Sequence, residues 1–336
     1  MNRQTSKSES PDVIDIHCDL LDYLQSVPAA DPFAIGKIGC SVPSLIEGNV
    51  KLQILAIYTA TQKGSAELAL KQSQIFRNLH TKHNKHFEAV NGPDDLQFNS
   101  SSKIGILAAI ENASGLCEEG EDLSKGLDRL EEIINNTSRI LYIGLTHHLE
   151  NRFGGGNNSK VGLKEDGKVI LDYINTKKIA IDLSHTSDAL AYDILDYLTK
   201  KNLHIPVLAS HSNYRNICNH PRNLPDDIVE EIISRKGLIG INFLRAFLND
   251  NDPNAIYDHI EYGLSLGAMD CLCFGADYNY TDDRLDKSRA PFFFKEHESA
   301  GMYPSILENI SLRTTPEIAE AISNRNVLDY IRRIWG

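Results

Sequence analysis

The sequence predicts an α/β fold, a parallel (β/α)8 barrel of TIM type with additional helices at its C-terminal end. Three observations carry the prediction. Eight short apolar runs alternate with helical segments in one uninterrupted series along 336 residues. The runs are continuously apolar rather than alternating, as in strands covered on both faces. No glycine-rich dinucleotide fingerprint follows the first run, which ranks an open doubly wound sheet second. A chain of this length buries a large core without staples.

Taken in order, residues 1–11 (MNRQTSKSESP) are polar and read as a disordered tail; 12–336 read as one catalytic barrel domain. The first strand is VIDIHC, after Asp12. His17 and Asp19 stand two apart and share a strand face, with Cys18 turned the other way into packing. Residues 51–59 (KLQILAIYT) form the second strand and 66–82 a helix. The third strand, 104–110 (IGILAAI), runs straight into Glu111, and a helix follows near 123–134. The fourth, 140–145 (ILYIGL), ends in Thr146-His147-His148 and leads into a loop whose glycines lack the GK[ST] ending of a phosphate-binding loop.

After a helix over 164–177 comes the most informative stretch. Runs 179–183 and 206–209 each end in a Ser-His pair, and 188–201 between them is long enough for a crossover helix. Such a strand–helix–strand unit sets its two strands parallel and adjacent, so His185 and His211 leave the same end side by side. Pro225-Asp226-Asp227 opens the next helix, with acids in its first turn. Runs 237–243 and 271–275 supply the last two strands around a helix at 254–266; the final strand closes with Ala276-Asp277. Residues 281–301 form an irregular polar insertion with an aromatic centre at Phe292, Phe293 and Phe294, and 315–334 are helical.

Composition narrows the class. Hydrophobic residues at 41% and charged residues at 24% are those of a globular protein. A net charge of −12, with no basic patch, argues against nucleic acid as partner. The six cysteines form no CxxC pair and read as scattered reduced residues. No apolar h-region or membrane-length run is visible, so the expectation is a cytoplasmic protein without a transmembrane segment, an exported form with its leader removed remaining an alternative.

His17, Asp19, Glu111, His147, His185, His211 and Asp277 all fall at the carboxyl ends of strands. Singly, each reads as a strand-end cap or a hydrogen-bonded histidine. Together they occupy the rim where barrels of this kind place function. Imidazoles with carboxylates suit zinc-like divalent ions. The set exceeds the roughly three protein ligands of one catalytic zinc, and two ions ~3.5–4 Å apart would use it economically.

These residues also carry a resemblance. The motifs DIHCDL, AIEN, GLTHH, GLKEDGK…IDLSH, PVLASHSNYRNICNHPRNLPDD, FGADY and NRNVLDYI resemble the membrane (renal-type) dipeptidase family of binuclear zinc dipeptidases, within the metallo-dependent hydrolase-like barrels. The resemblance implies two Zn2+ ions, one held by His17 and Asp19, the other by His185 and His211, with Glu111 and a water or hydroxide bridging them. It implies that His147 contacts the substrate, that Arg222 binds its carboxylate and that Asp277 is the acid–base residue. Arg222 offers the planar fork that a carboxylate accepts. A homodimer is also implied, although no interface is legible.

Three departures bear on substrate preference. Asp277 is followed by Tyr278-Asn279-Tyr280 instead of Phe-Asp-Gly; His148, Leu149 and Glu150 diverge after His147; and the 281–301 insertion is distinctive. Two competing readings remain beside a dipeptidase. One is a related barrel hydrolase acting on a cyclic amide or lactone; such enzymes often use a carboxylated lysine as bridge, whereas strand four here ends in Thr146-His147 and Glu111 supplies the bridge, which ranks it lower. The other is an inactive metal- or peptide-binding relative, against which Asp277 and Arg222 speak.

Overall fold

In a computed structural model, which describes residues 11–98 and 103–336, all strand pairings of the sheet are parallel. The strands are β1 (Val13–Cys18), β2 (Val50–Tyr58), β3 (Phe87–Ala89), β4 (Ile104–Glu111), β5 (Ile140–Gly144), β6 (Ala180–Asp182), β7 (Val207–Ala209), β8 (Leu238–Ile241) and β9 (Leu272–Phe274). Eight of them close a barrel: β1 pairs with both β2 and β9, and β2 pairs with β4 from Leu52↔Gly105 to Tyr58↔Glu111. The expected barrel is therefore present. Most of the expected polar tail, residues 1–10, lies outside the described residues.

Strand β3 was not expected. It pairs with the first residues of β4, Phe87↔Ile104 to Ala89↔Ile106, whereas β5 joins β4 only from Ala108. The long β4 would otherwise leave backbone groups open below the start of β5, and β3 fills that edge.

The helix Asp188–Lys201 matches the sequence expectation. Ser187 Oγ accepts from Leu190 N (3.0 Å), Lys200 and Lys201 lie in the last turn, and Asn202 closes it in the left-handed region. A helix at Tyr303–Arg313 was not expected between the insertion and the terminal helices. The final helix, Asn326–Trp335, crosses the amino end of the barrel. Its Val327, Tyr330, Ile331 and Trp335 join Ile14, Ile16, Leu52, Ile54, Leu107, Leu208 and Leu238 in the interior cluster. Among the described residues no helix is long and apolar enough to cross a membrane.

The interior changes character toward the carboxyl end. Ala180 and Leu208 belong to the apolar cluster, while Asp182 and Ser210, two residues further along their strands, are buried and polar. On β4 the inward series Leu107, Ala109 ends in Glu111. On β1 the pairing to β2 is irregular between Asp15 and Cys18, and there the alternation breaks, so that Cys18 joins the outer core while His17 meets the interior Tyr142.

Candidate metal centre

Glu111 is the hub. It is buried, and its two oxygens face different histidines. Oε2 lies 3.4 Å from His17 Nε2; Oε1 lies 2.9 Å from His185 Nε2, 3.5 Å from His211 Nε2 and 3.6 Å from His147 Nε2. Burial opposes its ionisation, but the imidazoles of His17, His185 and His211 outweigh it and hold the carboxyl well below its usual range.

The supporting hydrogen bonds decide which ring nitrogens are free. Tyr142 Oη donates to Ile16 O (2.9 Å), so toward His17 Nδ1 (2.7 Å) it accepts. His17 therefore carries its proton on Nδ1 and turns a bare Nε2 to the cavity, where that atom is buried without a hydrogen-bond partner. At His211, Ser210 Oγ gives its proton to Asp182 Oδ2 (2.5 Å) and accepts from Nδ1 (2.6 Å). At His185, Nδ1 donates to Asn157 Oδ1 (3.2 Å). Both rings then present unprotonated Nε2 atoms, and these stand 2.9 Å apart. Burial keeps both histidines well below their usual pKa, hence neutral. Two lone pairs at that separation repel unless a cation lies against them.

Asp19 does not sit on the strand as expected; it is the N-cap of the helix Leu20–Ser26, its backbone N–H donating to Tyr278 O (2.9 Å). It still reaches the same place. Its Oδ1 is buried without a partner, 3.9 Å from His17 Nε2. Asp277 Oδ1 lies 3.8 Å from the same nitrogen, and Asn242 Nδ2 donates to Oδ2 (2.8 Å). His17, Asp19 and Asp277 thus bring ligand atoms together on one side, and His17, Glu111 and His211 in the middle; a third group joins His147, His148 and His185.

These side chains fit divalent-metal binding. The test is the donor set itself: orphaned buried atoms at His17 and Asp19, and two facing imidazole lone pairs, gathered around one carboxylate whose two oxygens face different histidines. The same field acts on His17: burial disfavours its charged form, but Glu111, Asp19 and Asp277 overcome this and push its pKa up to about 10, so Nε2 is bare only when a cation takes the place of its proton. Three carboxylates there call for positive charge, which a divalent cation supplies.

Burial raises the Asp277 carboxyl to about 6, with Glu111 adding to the rise and His17 and Arg222 opposing it. Its backbone is left-handed (φ 62°), as is that of His185 (φ 63°). Non-glycine residues held there cost energy, and such strain collects at functional sites. Arg222 is 3% exposed. It donates from Nη2 to His211 O (3.0 Å) and from Nη1 to Ser212 Oγ (3.3 Å), while its buried Nε has no partner. His147 packs on Tyr58 (ring centroids 4.8 Å apart), and burial lowers it to about 3, so it is neutral.

A cavity of about 590 Å3 opens over this cluster, lined by Asp19, Tyr58, Glu111, His147, His185 and Asp277. The 281–301 insertion adds Arg284, Leu285 and Phe292 to its mouth. The structure thus gathers all seven strand-end residues expected from the sequence, with Arg222 tied to His211 O and Ser212 Oγ. Sequence reasoning missed the residues that orient them. Asp182 had a signal, an acid inside an apolar run three residues before His185. Tyr142 and Asn157 had none, because a buried tyrosine and a loop asparagine are common without any such role.

The family profile described as membrane dipeptidase (Peptidase family M19) matches residues 3–333. An uncharacterised protein of Acinetobacter calcoaceticus is 29% identical over 215 residues, covering 60% of this chain and 64% of its own length. An uncharacterised dipeptidase of Schizosaccharomyces pombe is 28% identical over 281 residues, covering 79% of this chain and 61% of its own. The chain thus aligns to less than two thirds of either relative. Among solved structures, the M19 metallopeptidase called dipeptidase AC superposes with a TM-score of 0.84 at 18% identity, covering 98% of this chain and all (100%) of its own. A Rhodobacter sphaeroides metallopeptidase, solved with a phosphinate mimic of the dipeptide L-Ala-D-Ala, gives 0.83 at 17%, covering 97% and 100%. At these identities the two structures establish the shared barrel.

Proposed function

The chain belongs to the membrane dipeptidase family of peptide-bond hydrolases, and from that premise we propose that it hydrolyses dipeptides with two zinc ions held at the carboxyl rim of its barrel. The observation that carries the proposal is the set of bare ligand atoms around Glu111: His17 Nε2 and Asp19 Oδ1 on one side, His185 Nε2 and His211 Nε2 on the other. When bound, the ions supply an activated water and polarise the scissile carbonyl.

The chain's own groups do the rest. Asp277 is a buried carboxyl beside the ligand cluster, its Oδ1 3.8 Å from His17 Nε2, and so placed to carry a proton. Its Oδ1 takes the proton of the attacking water and returns it to the departing amine, while Asn242 fixes Oδ2. Arg222, already oriented by His211 O and Ser212 Oγ, offers its unpaired Nε edge to the substrate's carboxylate. That clamp close to the reacting bond limits the substrate to a dipeptide. Neutral His147, held between Tyr58 and His185, donates to or accepts from the bound peptide. The phosphinate dipeptide mimic bound by the Rhodobacter relative is consistent with a substrate of this size. A lactone- or cyclic-amide-cleaving relative is less well supported, since a glutamate, not a lysine, stands between the two ligand groups.

The test is elemental analysis together with a dipeptide assay. We expect two zinc ions per chain and release of free amino acids. Glu111→Gln should lower the metal content to one ion or none. Two fully bound zincs in that variant would reject the bridge, and a metal-loaded wild-type chain that cleaves no dipeptide would reject the activity.

A further inference from the structure

The proposed mechanism leaves Asp22 in the cavity without a task; the other unassigned carboxylate there, Asp286, is exposed and accepts from Ser288 N (2.8 Å). Asp22 lies three residues beyond Asp19, on the helix Leu20–Ser26, and lines the same cavity. Residues three apart on a helix share a face, so Asp22 stands about one turn, roughly 5 Å, further out than Asp19.

The ordinary structural explanations do not hold for it. Asp19 and Asp22 have capping-box spacing, in which the second side chain would return to the backbone N–H of the first. That N–H is already bound to Tyr278 O (2.9 Å), and no side-chain cap is made on this helix. Nor is Asp22 paired: among the described residues no lysine, arginine or histidine forms an ion pair with it, and no hydrogen bond to its carboxylate occurs. Burial raises its pKa to about 6, helped by Glu111 and Asp283, both negative. Two arginines also line the cavity: Arg284 donates to Asn279 Oδ1 (2.7 Å) and lies 4.6 Å above the Phe292 ring, and neither it nor Arg289 forms an ion pair with Asp22. A half-buried carboxylate with no ion-pair partner, facing a substrate cavity, is free to receive a cation that arrives with the substrate.

We propose that Asp22 selects the N-terminal residue of the substrate, binding the ammonium or guanidinium of a lysine- or arginine-type side chain. This rests on the dipeptidase reading above and adds to it a substrate class. The α-ammonium is the other cation a dipeptide brings, but it lies two bonds from the scissile carbonyl and belongs beside the metal ligands. Asp22 is a helical turn further out, between the centre and the insertion that carries Asp283, at a distance suited to a long side chain.

The probes are non-hydrolysable phosphinate isosteres of lysyl-alanine and norleucyl-alanine, which share a shape but differ in the ammonium. Their binding is measured by calorimetry on the metal-loaded chain, with kcat/KM for the two parent dipeptides alongside. The wild-type chain should favour the lysyl compound by roughly ten- to hundredfold, the range of a charge-assisted hydrogen bond. Asp22→Asn and Asp22→Leu should collapse that ratio. Equal affinities in the wild type, or a ratio that survives both substitutions, would overturn the assignment. Equal weakening of both compounds in Asp22→Asn would also overturn it, since it would make the α-ammonium the partner. If neither isostere binds the loaded chain, the dipeptidase reading fails first and this inference falls with it; every other adverse result leaves that reading standing.

Discussion

The two ends of the barrel interior are built from the same strands and solve opposite problems. At the amino end, Ile14, Ile16, Leu52, Ile54, Leu107 and Leu208 meet Val327, Tyr330, Ile331 and Trp335 of the last helix. Apart from the Tyr330 hydroxyl, which donates to Val207 O (3.2 Å), and the unpaired Trp335 Nε1, that floor is hydrocarbon and ring. At the carboxyl end, a few residues along, the interior holds Glu111, Asp277 and four histidine rings with bare nitrogens and oxygens facing one another. Apolar burial stabilises the floor outright. The mouth gathers buried charge that calls for compensation, so a metal bound there would couple to its structure. The division assigns chemistry to one end and stability to the other.

The sharpest way to probe the mouth is Asp277→Asn. The amide keeps the shape and the Asn242 contact region but cannot accept a proton. Turnover should fall by roughly 10²–10⁴-fold, the scale of general acid–base catalysis, with both metals and substrate affinity retained. Loss of metal would make Asp277 a ligand, as its place beside His17 and Asp19 also permits. Near-normal turnover would hand the proton to another group.

The floor should respond in the reverse sense. Ile331 is fully buried in the interior cluster. Ile331→Ala leaves a cavity beneath the strands and should lower stability by about 2–5 kcal/mol, read from the midpoint of urea unfolding. Metal content and kcat of the folded fraction should stay near the wild-type values. A variant that unfolds normally but loses metal would show that floor and mouth are not separable, and the comparison would fail.

The same contrast explains what could be read from the sequence. The floor and walls were legible because short, continuously apolar runs recur between helical segments in one series, as strands covered on both faces do. Strand β3 was not, since its three residues, Phe87–Ala89, carry no periodicity and exist only because β4 outruns β5. The helix Tyr303–Arg313 was hidden behind the insertion. In the mouth, ligand-type residues at strand ends were visible by type and position, and the structure brings them together. What was invisible is orientation. Asp19 reaches the cavity as a helix cap, and the nitrogen each histidine presents depends on Tyr142 and Asn157, distant in sequence, and on Ser210, visible beside His211 but not its hydrogen bond to Asp182.

The smallest effect concerns Arg222, the buried cation of the mouth. Burial lowers its pKa, and Asp277 and Glu111 act to keep it charged. It rests on the Phe247 ring at 5.3 Å, uses Nη1 and Nη2 on Ser212 and His211, and leaves Nε unpaired. If that edge receives the substrate's carboxylate, replacing the carboxylate by a C-terminal amide removes one charge while preserving size. The cost should be roughly 1.5–3 kcal/mol, or about ten- to hundredfold in kcat/KM. Arg222→Met should abolish the difference between acid and amide, because the neutral side chain discriminates neither. Equal rates on a dipeptide and its amide by the wild-type chain would mean that Arg222 is a structural strut of the mouth, and the limit to dipeptides would then need another cause.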